Sequence, residues 1–129
     1  MRDTLLTQIT SNLSGSSIKV SSELPWNNGG EVLYVKNMKH FYLDAEEETR
    51  EEFIKCLDKN DVEQTTTTLT GYLTVDAKNQ PSDISSVVAN VVAANSVITA
   101  SIDTSVDVNT DITDDYVTYT FEFNFITII

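Results

Sequence analysis

The sequence is poor in the residues that build catalytic and metal sites. Among its 129 residues it has one cysteine, Cys56, and one histidine, His40. A single cysteine excludes an intrachain disulfide, which suits a reducing compartment. Zinc sites need about four Cys, His or carboxylate ligands, and nucleophilic catalysis with histidine needs an imidazole held by a third group. We therefore predict no enzyme activity, no metal and no cofactor.

His40 and Cys56 have simple structural interpretations. His40 lies in the strand-like segment Lys39–Tyr42, and the residues between it and Cys56 match no protease signature. We expect a surface or edge-strand histidine and a small buried thiol.

Basic residues are scarce and unevenly placed. The net charge is −12, and all Lys and Arg residues lie between Arg2 and Lys78. Residues 79–129 carry seven acids and no Lys or Arg. Because sequence-independent nucleic-acid binding needs Lys and Arg to displace counterions, we expect no such binding. The N-terminal segment has no apolar core like that of a signal peptide, and no apolar run approaches the length of a membrane span.

Two segments have apolar residues at helical spacing. Leu5, Ile9 and Leu13 recur every four residues and predict a helix over roughly residues 2–13. A second helix is predicted over residues 83–94, with Ser82 as its N-cap. Its apolar positions are Ile84, Val87, Val88, Val91 and Val92.

Several segments favour strands. A short strand begins at Ile18, and the run of threonines in 62–76 favours a long one with Leu69, Gly71, Leu73 and Val75 on one face. Alternation of apolar and polar residues predicts two more strands, from Ile98 to Ile112 and over 117–125. Residues 31–43 fit either one bent strand or a hairpin turning near Asn37.

Residues 44–60 are open to two interpretations. Glu46 precedes Arg50 by four residues and Glu51 precedes Lys55 by four, which favours a short exposed helix. An exposed acidic loop is the alternative. With either one, the predicted fold is α+β, a mainly antiparallel β-sheet with two amphipathic helices packed on one face. No repeat and no long linker divides the chain, so we expect residues 1–129 to form a single domain.

Two features are candidates for intermolecular contacts. Trp26, beside Pro25 in a loop, fits either a plug for the core or an anchor on a partner. Asp103, Asp107 and Asp111 share one face of a predicted strand and are spaced about 13 Å apart, from a rise of about 3.3 Å per residue. That spacing is too wide for any two of them to ligate one ion directly. They form a row of negative charge instead.

The same segment opens like a calcium-binding loop. Asp107, Asn109 and Asp111 occupy its first, third and fifth positions. Ile112 and Thr118 then stand where that loop requires glycine and a bidentate glutamate. An acidic strand face therefore accounts for the acids better than a calcium site.

The order of elements and three segments carry a resemblance to a known family. An N-terminal helix and a strand precede the loop Leu24–Trp26, the segment Val75–Pro81 precedes the second helix, and the chain closes with the aromatic strand Tyr119–Phe125. In these respects, and in length, the chain resembles the tail terminator (tail completion) proteins of long-tailed bacteriophages.

The resemblance implies a ring, commonly a hexamer, that caps the tail tube and joins it to the head connector. It implies assembly in the host cytoplasm and a final place in the virion, with DNA passing through the ring. It transfers no individual functional residues. Within such a ring, the row of Asp103, Asp107 and Asp111 would face either the lumen or the outer solvent.

Two classes of function therefore stand side by side. The first is a virion structural protein, either a tail terminator or another neck or tail component. The second is a small acidic intracellular binding module, such as an inhibitor or adaptor of one partner protein. A closed ring in solution would favour the first, and a monomer that binds one host protein would favour the second.

Overall fold

A computed structural model describes residues 2–21, 37–44, 47–54, 62–98 and 103–128. Trp26 and Cys56 lie outside the described residues, so the expectations for both stay predictions.

Both helices form where the apolar spacing predicts them. Helix α1 is Arg2–Asn12 and helix α2 is Ile84–Ala93, and a single 3₁₀ turn, Ala94–Val97, continues α2. The prediction of Ser82 as the N-cap is wrong, because Asp83 holds that position and its side chain makes no capping bond. Residues 82 and 83 form a turn after Pro81, and the Ile84 N–H donates to the Pro81 carbonyl at 3.3 Å. The turn backbone thus supplies a bond that a capping side chain would otherwise provide.

The described strands form one sheet of six strands. They are β1 Lys19–Ser21, β2 Lys39–Leu43, β3 Glu47–Ile54, β4 Val62–Asp76, β5 Asp103–Ile112 and β6 Tyr116–Ile128. The order across the sheet is β1-β2-β4-β6-β5, and β3 also pairs with β4. Strand β1 is parallel to β2 and the other pairs are antiparallel. The α+β prediction with a mainly antiparallel sheet is therefore confirmed.

Strand β3 corrects both interpretations of residues 44–60, because 47–54 is neither helix nor loop. It pairs with the first half of β4, from Glu47 opposite Thr68 to Ile54 opposite Val62, while β2 pairs with the second half. The charge pairs that suggested a helix contribute only about 0.2–0.5 kcal/mol each. A ladder hydrogen bond contributes about 0.5–1.5 kcal/mol, and pairing along β4 supplies several of them.

The hairpin proposed near Asn37 is only partly described. Asn37 has a φ of 61°, in the left-handed region that asparagine tolerates better than most residues. Strand β2 begins two residues later. Residues 31–36 lie outside the described part, so the choice between a bent strand and a hairpin stays open.

The core lies between one face of the sheet and the two helices, as the sequence predicts. The register aligns Phe41 with Leu73 and Leu73 with Tyr119, so alternate residues of β2, β4 and β6 share this face. Leu5 and Ile9 of α1 and Val87 and Val91 of α2 complete the same cluster. Its sheet residues are Phe41, Leu43, Leu69, Leu73, Val75, Val117, Phe121, Phe123 and Phe125. We call this the helix face of the sheet and the opposite one the polar face.

A buried carboxylate fixes one end of the sheet. Asp76, the last residue of β4, is fully buried, and its two carboxylate oxygens accept the N–H groups of Asn37 at 2.8 Å and Lys78 at 2.9 Å. The Asn79 side chain in turn donates to Asn37. The segment Val75–Pro81 that contributes to the family resemblance therefore has a structural role in this chain.

Candidate functional site

Strand β5 is the last strand on one side of the described sheet. It pairs with β6 along its whole length, from Asp103 opposite Ile126 to Ile112 opposite Val117. No other strand within the described residues pairs with its second edge. An exposed strand edge offers unpaired N–H and C=O groups to another chain. The ten residues of β5 are thus the first candidate for a binding surface.

The hydrogen-bond pattern shows which backbone groups point to this open edge. At the turn into β6, the Thr113 N–H donates to the Tyr116 carbonyl at 2.8 Å, so these two form a bonded pair. Bonded and non-bonded pairs alternate along an antiparallel ladder. The even-numbered residues of β5 are therefore the non-bonded ones, and their N–H and C=O groups point away from β6. These residues are Thr104, Val106, Val108, Thr110 and Ile112.

The apolar residues of β5 are only partly covered. Val106, Val108 and Ile112 lie on the helix face, opposite Phe123, Phe121 and Val117. Val106 is half-buried, whereas Val108 is 40% exposed and Ile112 is 73% exposed. Burial thus decreases along β5 toward its turn into β6. Apolar alternation in this segment correctly predicts a strand, but it does not predict this exposure.

A shallow groove opens beside this apolar strip. Ile84, Ser85 and Val88 of α2 and Tyr119 of β6 line a volume of about 260 Å³. Tyr119 is directly opposite Thr110 of β5 in the ladder. The groove and the exposed valine and isoleucine therefore belong to one partly apolar surface at this end of the sheet.

The polar face of the same region is acidic. Asp107 and Asp111 are exposed on it, and Asp107 lies directly opposite the exposed Glu122. Asp103 takes the matching position at the start of the strand. Strands β4, β5 and β6 contain no Lys or Arg. The structure thus brings Asp107 and Asp111 onto one face, as predicted, and adds Glu122, which the sequence analysis does not single out.

The possible calcium loop is a regular strand in the structure. Residues 107–111 continue the β5–β6 ladder without a register shift. Within the described ranges, no three His, Cys, Asp or Glu side chains converge on a point that could hold a metal ion.

His40 differs from its prediction. Its strand β2 lies between β1 and β4, and the imidazole is only 6% exposed, so it is neither at the surface nor on an edge. Burial, helped by the nearby charge of Lys19, lowers the pKa of His40. Two residues further along β2, the Tyr42 hydroxyl donates to the carboxylate of Asp44, just after the strand, at 3.1 Å. Burial and that hydrogen bond raise the pKa of Tyr42.

The opposite end of the sheet carries basic residues. Lys19 of β1 is exposed and lies beside His40, on the polar face. Lys39 begins β2, and its ammonium group donates to the Ser17 hydroxyl at 3.1 Å, just before β1. The two ends of the strand order therefore differ in charge, with acids at β5 and lysines at β1.

Neither a protein-family model nor a curated protein matches this chain. Neither helix in the described part of the chain has both the length and the apolar composition of a membrane-spanning helix.

Proposed function

We propose that this chain is a virion structural protein that assembles with copies of itself into a ring, as the tail terminators it resembles do. In that role it caps the tail tube and joins it to the head connector, first in the host cytoplasm and then in the virion. The proposal assigns it no enzyme activity and no cofactor. Its partners are its own copies, the tail tube protein and the neck proteins.

The open edge of β5 is the observation that carries this proposal. It combines outward-pointing backbone groups with Val108 and Ile112, which are exposed on the helix face. Monomeric proteins usually protect such an edge or cover it. An edge of this length with exposed apolar residues is suited to contact another protein chain. The closed symmetry common among identical subunits turns repeated contacts of this kind into a ring.

The acidic polar face also has a role in such a ring. In a ring with the polar faces turned inward, Asp107, Asp111 and Glu122 would line the channel, and Asp103 would extend the row. Strands β4, β5 and β6 bring no Lys or Arg to that wall, so this part of it offers DNA no attraction through counterion release. Repulsion over about 8–10 Å at physiological salt would keep the duplex from sticking to the wall. Replacing the three aspartates by lysine should then slow DNA passage, which ejection kinetics of assembled particles would measure.

Sedimentation velocity and negative-stain images of the purified chain test the ring itself. We expect a closed ring at high protein concentration. Thr110→Pro should weaken it, because proline removes an N–H that points to the open edge and leaves the ladder with β6 intact. Thr110→Val keeps that N–H and serves as the matched control. A chain that stays monomeric at every concentration would contradict self-assembly and favour the alternative, an acidic module that binds one partner protein.

A further inference from the structure

We propose that the open edge of β5 receives strand β1 of a second copy, so that neighbouring copies join head to tail in one continuous sheet. This inference rests on the proposed ring, and it names the two surfaces that meet in each contact. Within the described residues, these strands are the two ends of the strand order, β5 at one end and β1 at the other.

Charge complementarity favours this pairing. The polar side of β5 presents Asp107 and Asp111, both exposed, and the polar side of β1 presents the exposed Lys19. Opposite charges directly across two strands stabilise their pairing, and like charges there destabilise it.

The faces of the two strands also match. Val20 lies opposite Phe41 on the helix face, as Val106 lies opposite Phe123. Residues directly opposite each other in an antiparallel pair share a face. An alignment that sets Lys19 opposite Asp107 therefore also sets Val20 opposite Val106. Moving the alignment along β5 by four residues sets Lys19 opposite Asp111 and Val20 opposite Thr110. In both alignments the lysine therefore lies opposite an aspartate.

Strand direction allows the same arrangement in every copy. Strand β1 is parallel to β2, and three antiparallel steps lead from β2 through β4 and β6 to β5. Strand β5 therefore runs opposite to β1. Two copies in the same orientation then meet as an antiparallel pair with their helices on the same side. Such a head-to-tail contact closes into a ring when the rotation between copies allows it.

The acids argue against a symmetric dimer through two β5 strands. In an antiparallel pair of β5 strands that overlap over residues 103–111, Asp107 would lie opposite Asp107 of the second copy. Asp103 and Asp111 would lie opposite each other on either side of it. Like charges in these positions destabilise the pair. The same row that attracts Lys19 thus keeps two β5 edges apart.

A charge exchange between two variants tests the inference. One variant carries Asp107→Lys with Asp111→Lys, and the other carries Lys19→Asp. Each variant alone sets like charges together at every contact, so we expect each to need a roughly tenfold higher concentration for assembly than the original chain. An equimolar mixture should recover assembly, because each β5 edge then meets a β1 edge of opposite charge. The mixed rings should alternate strictly, which native mass spectrometry would show as equal numbers of the two variants.

Asp3→Lys is the matched control for charge, because Asp3 is exposed on α1, which packs on the helix face, whereas Lys19, Asp107 and Asp111 lie on the polar face. We expect it to assemble like the original chain. If the original chain forms rings and each variant alone forms them equally well, the β5–β1 contact is wrong. The proposed ring itself would then stand. A mixture that fails to recover, when both variants are folded by circular dichroism, would overturn it as well. An original chain that never assembles would overturn the contact and the proposed ring together.

Discussion

Replacing Gly71 by alanine should destabilise this protein, although the same change stabilises many others. Gly71 lies in the middle of β4, opposite Leu43 on one side and Phe121 on the other. A Cβ atom at this position would lie 2.6 Å from Cζ and 3.1 Å from Cε2 of Phe41. Ordinary van der Waals contact begins at 3.4 Å. The Phe41 ring would therefore have to move by most of an ångström.

The surrounding core limits that movement. Phe41 is fully buried, and its ring packs against Phe121 with 6.2 Å between ring centroids. Overpacking of a core costs about 1–3 kcal/mol, while removing a glycine stabilises by about 0.4–1 kcal/mol through the unfolded chain. The first effect is the larger, so we expect a net loss of about 1–2 kcal/mol in the free energy of unfolding.

Urea unfolding of four variants separates the clash from other effects. Gly15→Ala is the matched control, because a Cβ atom there meets no other atom within 4 Å. It should leave stability unchanged or raise it slightly. Phe41→Leu removes ring atoms, so it should cost less in the Gly71→Ala background than in the original chain. We expect a coupling energy of about 1 kcal/mol or more between the two changes. Equal stability of Gly71→Ala and Gly15→Ala would refute the reasoning.

Three further predictions follow from buried groups. Burial lowers the pKa of His40, so the unfolded chain binds more protons than the folded one as the pH falls below 6.5. The free energy of unfolding should then decline on acidification by at most about 1.4 kcal/mol per pH unit. His40→Gln should flatten this part of a plot of urea midpoint against pH, and an unchanged plot would contradict the role of His40. Asp76→Ala should cost about 2–4 kcal/mol, because the N–H groups of Asn37 and Lys78 lose a charged acceptor. Asp76→Asn should cost less, since its amide oxygen still accepts one bond, and equal losses for both variants would contradict that account. Phe123→Asp should unfold the chain, because an unpaired buried charge costs several kcal/mol, comparable with total stability. A cooperative thermal transition for that variant, near that of Phe123→Leu, would show that the core assignment is wrong.

The sequence alone was sufficient to predict the helices and strands that bury one face along their own length. The alternation in β6 predicted the buried row of Phe121, Phe123 and Phe125, and the threonine-rich β4 has the bounds that its composition predicts. The two helices follow from apolar residues at helical spacing. In each of these elements the local pattern and the tertiary packing favour the same structure.

In segments without such a pattern, the secondary structure and the burial of side chains depend on the neighbouring strands. Strand β3 has a charge spacing that favours a helix, yet it pairs with β4, which offers a long strand edge. His40 is polar, yet β1 and β4 flank its strand and its imidazole is buried. Only the tertiary structure decides these cases, because a neighbour from a distant part of the chain changes what each segment gains.

The candidate binding surface on β5 was also predicted from the sequence only in part. The alternation of acids with valine and isoleucine determined that 103–112 is a strand with one acidic face. It did not determine that this strand lies at the end of the described sheet, where Val108 and Ile112 remain exposed. The order of strands depends on contacts between residues far apart in sequence, and local periodicity records only which side chains share a face. The acids of β5 were therefore readable from the sequence, while its open edge came from the fold.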